Sequence, residues 1–121
     1  MTNAYEHSGE RTERPWGWFE TVCELDGSKI KRIGVLPGQQ ISLQKHRHRR
    51  EHWVVTAGVA RVTLDDQEFD LGLGQSCDIR LGQVHRLANR SAEPCEIVEL
   101  QFGDILSEDD IIRLSDDYGR T

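Results

Sequence analysis

The chain has 121 residues, about the length of one domain, and a chain of this size buries roughly two-thirds of its unfolded surface, enough for a core without disulfide staples. Fifteen Lys and Arg against 21 Asp and Glu give a formal net charge of −6, which argues against a nucleic acid or an anionic membrane as partner. Three widely spaced cysteines without a CxxC pair, no apolar run near the ~18 residues of a membrane span and no apolar signal core at the N-terminus point to a reducing, cytoplasmic setting.

Residues 1–13 are polar and without periodicity, so they are expected to form a flexible arm, with one folded domain over 14–121. From Arg14 onward short runs recur between turn signals. They are Trp16 to Leu25, Ile30 to Leu36, Ile41 to His46, His52 to Ala57, Val59 to Leu64, Glu68 to Leu71, Ser76 to Leu81, His85 to Ala88 and Glu96 to Phe102. Alternation is clear in Ala60 to Leu64 and in Ile97 to Phe102, and imperfect in Ile30 to Val35. Short strands with Gly-rich turns predict an all-β sandwich or small barrel. The tail differs: Ser107 offers an N-cap, three acids follow, and Ile111, Ile112 and Leu114 form one apolar stripe, which predicts a short helix from about 108 to 116.

Three of the five histidines, His46, His48 and His52, fall within seven residues beside Glu51, and His85 stands further on. Gln44, His46 and Glu51 on neighbouring strands can converge inside a barrel and hold a metal. The same KHRHRREHW stretch can equally be read as a solvated basic strand end.

The spacing of the flanking residues bears on this choice. Gly38, five residues, Gln44, one residue, His46, four residues, Glu51, six residues and Gly58 resembles the first signature of the cupin superfamily, with Gln44 where that signature has His. Gly74, five residues, Arg80, one residue, Gly82, two residues, His85, three residues and Asn89 resembles the second, with Arg80 in place of proline. Arg14-Pro15-Trp16-Gly17, His48-Arg49, Glu51-His52-Trp53, His85-Arg86-Leu87 and the tail from Glu108 to Tyr118-Gly119-Arg120 extend the likeness. Together they resemble the cupin domain of type II mannose-6-phosphate isomerases, which commonly forms the C-terminal part of a bifunctional mannose-1-phosphate guanylyltransferase.

That resemblance implies a double-stranded β-helix, or jelly-roll barrel, with the short C-terminal helix added. It implies a metal-dependent aldose–ketose isomerase that interconverts mannose 6-phosphate and fructose 6-phosphate, and a homodimer. Fitting the family intervals makes Gln44, His46, Glu51 and His85 the metal ligands, with zinc the first choice and manganese, cobalt or iron as alternatives. His48 and Glu99 are the candidate bases for carrying a proton between C1 and C2. Arg14 and Arg49 are expected to bind the phosphate, and Arg120 belongs to the same catalytic set. His52, alternating with Glu51, is expected to face away. The alternative is a non-catalytic metal-binding cupin that holds a sugar phosphate or another small ligand. An iron dioxygenase fits less well, because that class commonly uses three histidines where this chain has Gln44. Nucleotidyl transfer is not assigned, since these residues contain no Gly-rich nucleotide-binding stretch.

Overall fold

The computed structural model describes residues 10–104 and 106–117, and the sequence-predicted Arg120 lies outside them. Among the described residues there are eleven strands: β1 (Thr12–Arg14), β2 (Gly17–Leu25), β3 (Ser28–Val35), β4 (Leu43–His46), β5 (Arg49–Ala57), β6 (Ala60–Leu64), β7 (Gln67–Leu71), β8 (Ser76–Ile79), β9 (His85–Ala88), β10 (Cys95–Gly103) and β11 (Ile111–Ser115). They form two antiparallel sheets, one in the order β1-β2-β3-β10-β5-β8 and the other β11-β4-β9-β6-β7. All nine expected runs are strands. Thr12 and Glu13, assigned from sequence to the arm, pair instead with Phe19 and Trp18.

The expected helix over 108–116 is absent. Glu108–Asp110 is a single 3-10 turn, in which Asp109 N–H donates to Ser107 Oγ at 3.0 Å, and the chain then extends as β11 against β4. Two effects override the capping signal. β-branched Ile111 and Ile112 favour an extended backbone, and the Asp110 carboxylate is drawn to the β4–β5 turn instead of a helix N-terminus.

The inner faces follow the period-2 pattern. On β10, Cys95, Ile97, Glu99 and Gln101 point in, and on β5 Arg49, Glu51, Trp53 and Val55 do so. Register aligns Ile33, Ile97 and Val55 across three strands, then Lys31, Glu99 and Trp53, then Gln101 and Glu51. The interior therefore grades along the strands from an apolar end, continued by Val62 and Leu87 in the facing sheet, to a polar end that holds Glu51 and His85. This gradient locates the site. Among the described residues no helix is long and apolar enough to cross a membrane.

The turn between β5 and β6 depends on Gly58, whose φ is 71°. A Cβ there would stand 2.5 Å from Pro94 O and 3.0 Å from Cys95 Cα, both backbone atoms that cannot swing away. Gly58→Ala is expected to lower the melting temperature by about 10 °C, in line with a left-handed non-Gly residue costing ~1–3 kcal/mol. Calorimetry checks this, and an unchanged melting point would mean that the turn relaxes freely.

Candidate metal centre and its cavity

Strands β4, β5 and β9 bring His46, Glu51 and His85 together at the polar end, with one ligand atom from each within 4.8 Å of the others. Glu51 Oε2 lies 3.2 Å from His46 Nε2, and Glu51 Oε1 lies 3.9 Å from His85 Nε2. All three are at most 3% exposed. Gln44, two residues before His46 and paired in register with His85, lines the same cavity. Its amide nitrogen donates to the Ser42 carbonyl at 3.5 Å, so the amide oxygen is the atom with ligand chemistry.

The two imidazoles are oriented alike. His46 Nδ1 lies 3.3 Å from Asp110 O and His85 Nδ1 lies 2.9 Å from Gln83 O. Assigning the proton to Nδ1 in both rings satisfies these carbonyls and leaves each Nε2 lone pair facing the space beside Glu51. Burial pushes the His85 imidazole below its ordinary pKa, which favours this neutral form. Burial opposes ionisation of Glu51, but the polar groups gathered around it outweigh burial and hold its carboxyl well below the usual range; with both imidazoles neutral, the Arg49 guanidinium supplies the positive charge, its Nε donating to Glu51 Oε2 at 2.8 Å. Two neutral imidazoles and an ionised carboxylate within this radius fit a borderline divalent cation. Gly82 adds support from behind: its φ is 73°, and its N–H donates to His46 O at 2.8 Å.

Arg49, expected from sequence to bind the phosphate, lines the cavity as a buried residue whose guanidinium is engaged by its protein neighbours. It is 3% exposed, and its Nε donates to Glu51 Oε2 at 2.8 Å, its Nη2 lies 3.2 Å from His46 Nε2, and its Nη1 donates to Ser107 O at 3.3 Å. Odd parity on β5 turns it inward with Glu51, so its charge balances that carboxylate. His48 is not where the sequence reading placed it. β4 ends at His46, and Arg47 and His48 form the turn that follows, which carries the candidate base His48 away from the inner face. His48 is exposed and lines outer grooves, and it is not among the residues that line the candidate metal cavity. His52 faces outward as expected, with Nδ1 2.6 Å from Asp78 Oδ1.

Glu99 does reach the cavity. It is 4% exposed, and its pKa is pushed from the usual 4.5 up to about 7, by burial first and by the Glu51 charge second, with Lys31 opposing. The indole N–H of Trp53 is shared between the two carboxylates, 2.9 Å from Glu51 Oε1 and 3.2 Å from Glu99 Oε2, while Gln101 Nε2 donates to Glu99 Oε1. One rigid side chain thus orients both the Glu51 carboxylate and its neighbour.

Besides Arg49, three cations line the cavity: Arg14, Lys31 and Arg113. Arg14 is exposed, with its guanidinium 5.3 Å from the centroid of the Phe19 ring, and Lys31 Nζ stands 4.2 Å from the same centroid. Sequence reasoning missed Lys31 and Arg113. Counting parity back from Ile33 and Val35 would have turned Lys31 inward, whereas Arg113 was concealed by the helix assigned to its segment.

A family model described as "Mannose-6-phosphate isomerase C-terminal" matches residues 2–116. Curated relatives include the alginate biosynthesis protein AlgA of Pseudomonas aeruginosa, 51% identical over 108 residues, covering 89% of this chain and 22% of AlgA. Another is the mannose-1-phosphate guanylyltransferase of Escherichia coli, 44% identical over 117 residues, covering 96% of this chain and 24% of that protein. The chain thus spans less than a quarter of their length. Among solved structures, oxalate decarboxylase from Bacillus subtilis superposes with a TM-score of 0.78 at 22% identity, covering 88% of this chain and 30% of that one. A Klebsiella pneumoniae protein with a double-stranded β-helix domain superposes at 0.68 and 24% identity, covering 87% and 89%. At these identities the likeness establishes the fold: a double-stranded β-helix of the cupin kind.

Proposed function

This chain belongs to the mannose-6-phosphate isomerase C-terminal family, and from that premise we propose that it is a metal-dependent aldose–ketose isomerase acting on mannose 6-phosphate and fructose 6-phosphate. The observation that carries the reading is the placement of His46, Glu51 and His85 in the same cavity as a buried carboxylate of raised pKa, Glu99. A divalent cation held by these three residues with Gln44, zinc in the first instance, would supply Lewis-acid polarisation of the sugar carbonyl oxygen.

The protein's own groups do the rest. Glu99 removes the C2 proton of the open-chain aldose to give an enediol and returns a proton at C1, while a proton passes from O2 to O1, so the ketose forms with no net gain or loss. A carboxyl titrating near neutrality is suited to both taking and giving that proton. The Trp53 N–H holds the carboxylate in place, and Lys31, its cross-strand neighbour, supplies positive charge beside it. Arg14, exposed at the cavity, is placed to meet the phosphate with a guanidinium fork.

Metal-replete protein supplied with mannose 6-phosphate should form fructose 6-phosphate, and a chelated sample should not. No conversion by a protein that contains stoichiometric metal would overturn the isomerase reading. Sugar-phosphate binding without conversion would support the binding-module alternative. In steady-state assays Arg14→Ala should raise KM about tenfold with kcat little changed, the pattern of a lost ground-state contact at an exposed position. An unchanged KM would remove Arg14 from the phosphate site.

A further inference from the structure

Three contacts from one residue converge on the segment that joins His46 to Glu51. Asp110 closes the 3-10 turn, where its N–H donates to Ser107 O at 3.1 Å, and it is 8% exposed. Its carboxylate accepts two consecutive main-chain N–H groups of the β4–β5 turn, Arg47 N to Oδ1 at 3.1 Å and His48 N to Oδ2 at 2.9 Å. Its carbonyl oxygen lies 3.3 Å from His46 Nδ1. The next residue, Ile111, is the register partner of His46, and Ser107 O accepts from Arg49 Nη1.

Each contact fixes a different property of the site. The carbonyl selects the Nδ1–H tautomer of His46 and aims Nε2 inward. The carboxylate forms charge-assisted bonds that fix the backbone immediately after His46 and before Arg49. Two N–H groups held by one buried carboxylate leave the turn little freedom, so His46 and Glu51 keep their spacing.

We infer that Asp110 is a positioning residue for His46, and that through it segment 107–113 is a working part of the metal centre. The inference rests on reading His46, Glu51 and His85 as metal ligands. By linkage, a cation bound at His46 tightens the docking of β11, and loosening β11 weakens the cation by the same factor.

Calorimetric titration of metal-free protein with zinc tests this. Asp110→Ala is expected to bind zinc about 10–100-fold more weakly than the wild type, the usual effect of losing a partner that orients a ligand. Its near-ultraviolet circular dichroism should be retained. Nitrogen-resolved NMR of the imidazoles should show the Nδ1–H form of His46 in the wild type; the variant keeps the main-chain carbonyl, so a tautomer mixture there reports its displacement from His46 once the carboxylate's bonds to Arg47 and His48 are gone. A folded variant whose zinc affinity stays within twofold of wild type would overturn the inference and leave Asp110 a purely structural residue. Should the Ala variant not fold, hydrogen exchange on the wild type decides. Zinc should slow the amides of 111–115, and unchanged rates would overturn the coupling. A wild type that takes up no zinc refutes the metal reading itself, whereas tight wild-type binding with an indifferent Asp110 refutes only this step.

Discussion

Glu51→Gln is expected to abolish stoichiometric metal binding and to destabilise the metal-free protein as well. The carboxylate supplies the only charged ligand in the His46, Glu51 and His85 group, so its loss should weaken zinc by at least the ~100-fold seen for lesser outer-partner changes. The second effect comes from Arg49. Its guanidinium is 3% exposed and donates to Glu51 Oε2 at 2.8 Å. Removing one partner of a buried ion pair leaves an uncompensated charge, at a cost of ~3–5 kcal/mol, comparable with a large share of the net stability of a domain. Urea denaturation of the metal-free variant reads that loss. Adding Arg49→Met to Glu51→Gln should restore most of the stability and none of the metal binding, which separates the two roles. A single variant that kept its metal would remove Glu51 from the ligand set.

Glu99→Gln is expected to lower kcat by about 10²–10⁴, with metal content and sugar-phosphate affinity retained, because it removes a proton carrier and keeps the shape of the wall. Bond direction complicates the swap slightly. Trp53 Nε1 can still donate to the amide oxygen, but Gln101 Nε2 would meet an amide nitrogen, so Gln101 must flip. Activity equal to wild type would exclude Glu99 as the base.

The same carboxyl sets a pH signature in the metal-free protein. Its folded pKa, about 7, is raised above the usual 4.5, so between these values the folded state binds the proton more tightly than the unfolded state. Stability from this group therefore falls as pH rises from 4.5 to 7 and is constant below and above that window. Glu99→Gln should flatten that slope. Chemical denaturation at a series of pH values measures it, and an identical slope in the variant would place the cause elsewhere.

Much of this arrangement was legible because period-2 alternation and turn glycines are local signals. The nine strand runs follow from them, and the face that Glu99 shares with Gln101 on β10 does too; His46, Glu51 and His85, which the structure brings within 4.8 Å of one another, were singled out by the resemblance to the cupin signatures instead. What escaped was set by contacts distant in sequence or by a broken period. His48 lies beyond the end of β4, where the turn leaves its side chain exposed. Arg49 has the sequence appearance of a solvated cation, and only its inward parity and its ion pair with Glu51 make it a buried one. The 108–116 segment carries a sound helix start, yet its Asp110 is claimed by a turn more than 60 residues earlier, at Arg47 and His48. Local propensity is a weak prior when a sheet edge is available to be paired.

The central place of β10 in its sheet has a consequence for how the chain acquires its structure. β3 and β5 do not touch each other along their ladders. β10 lies between them, pairing Cys95 to Phe102 with β3 and Glu96 to Gly103 with β5. During synthesis these residues therefore present two unpaired strand edges, on β3 and β5, until β10 is made, and the sheet cannot close before then. Such non-local closure is slow, and open edges of this kind invite association with other chains. Synthesis interrupted before residue 95 should yield an aggregating product, and the folding rate should respond more to changes in β10 than to changes in the hairpin of β6 and β7.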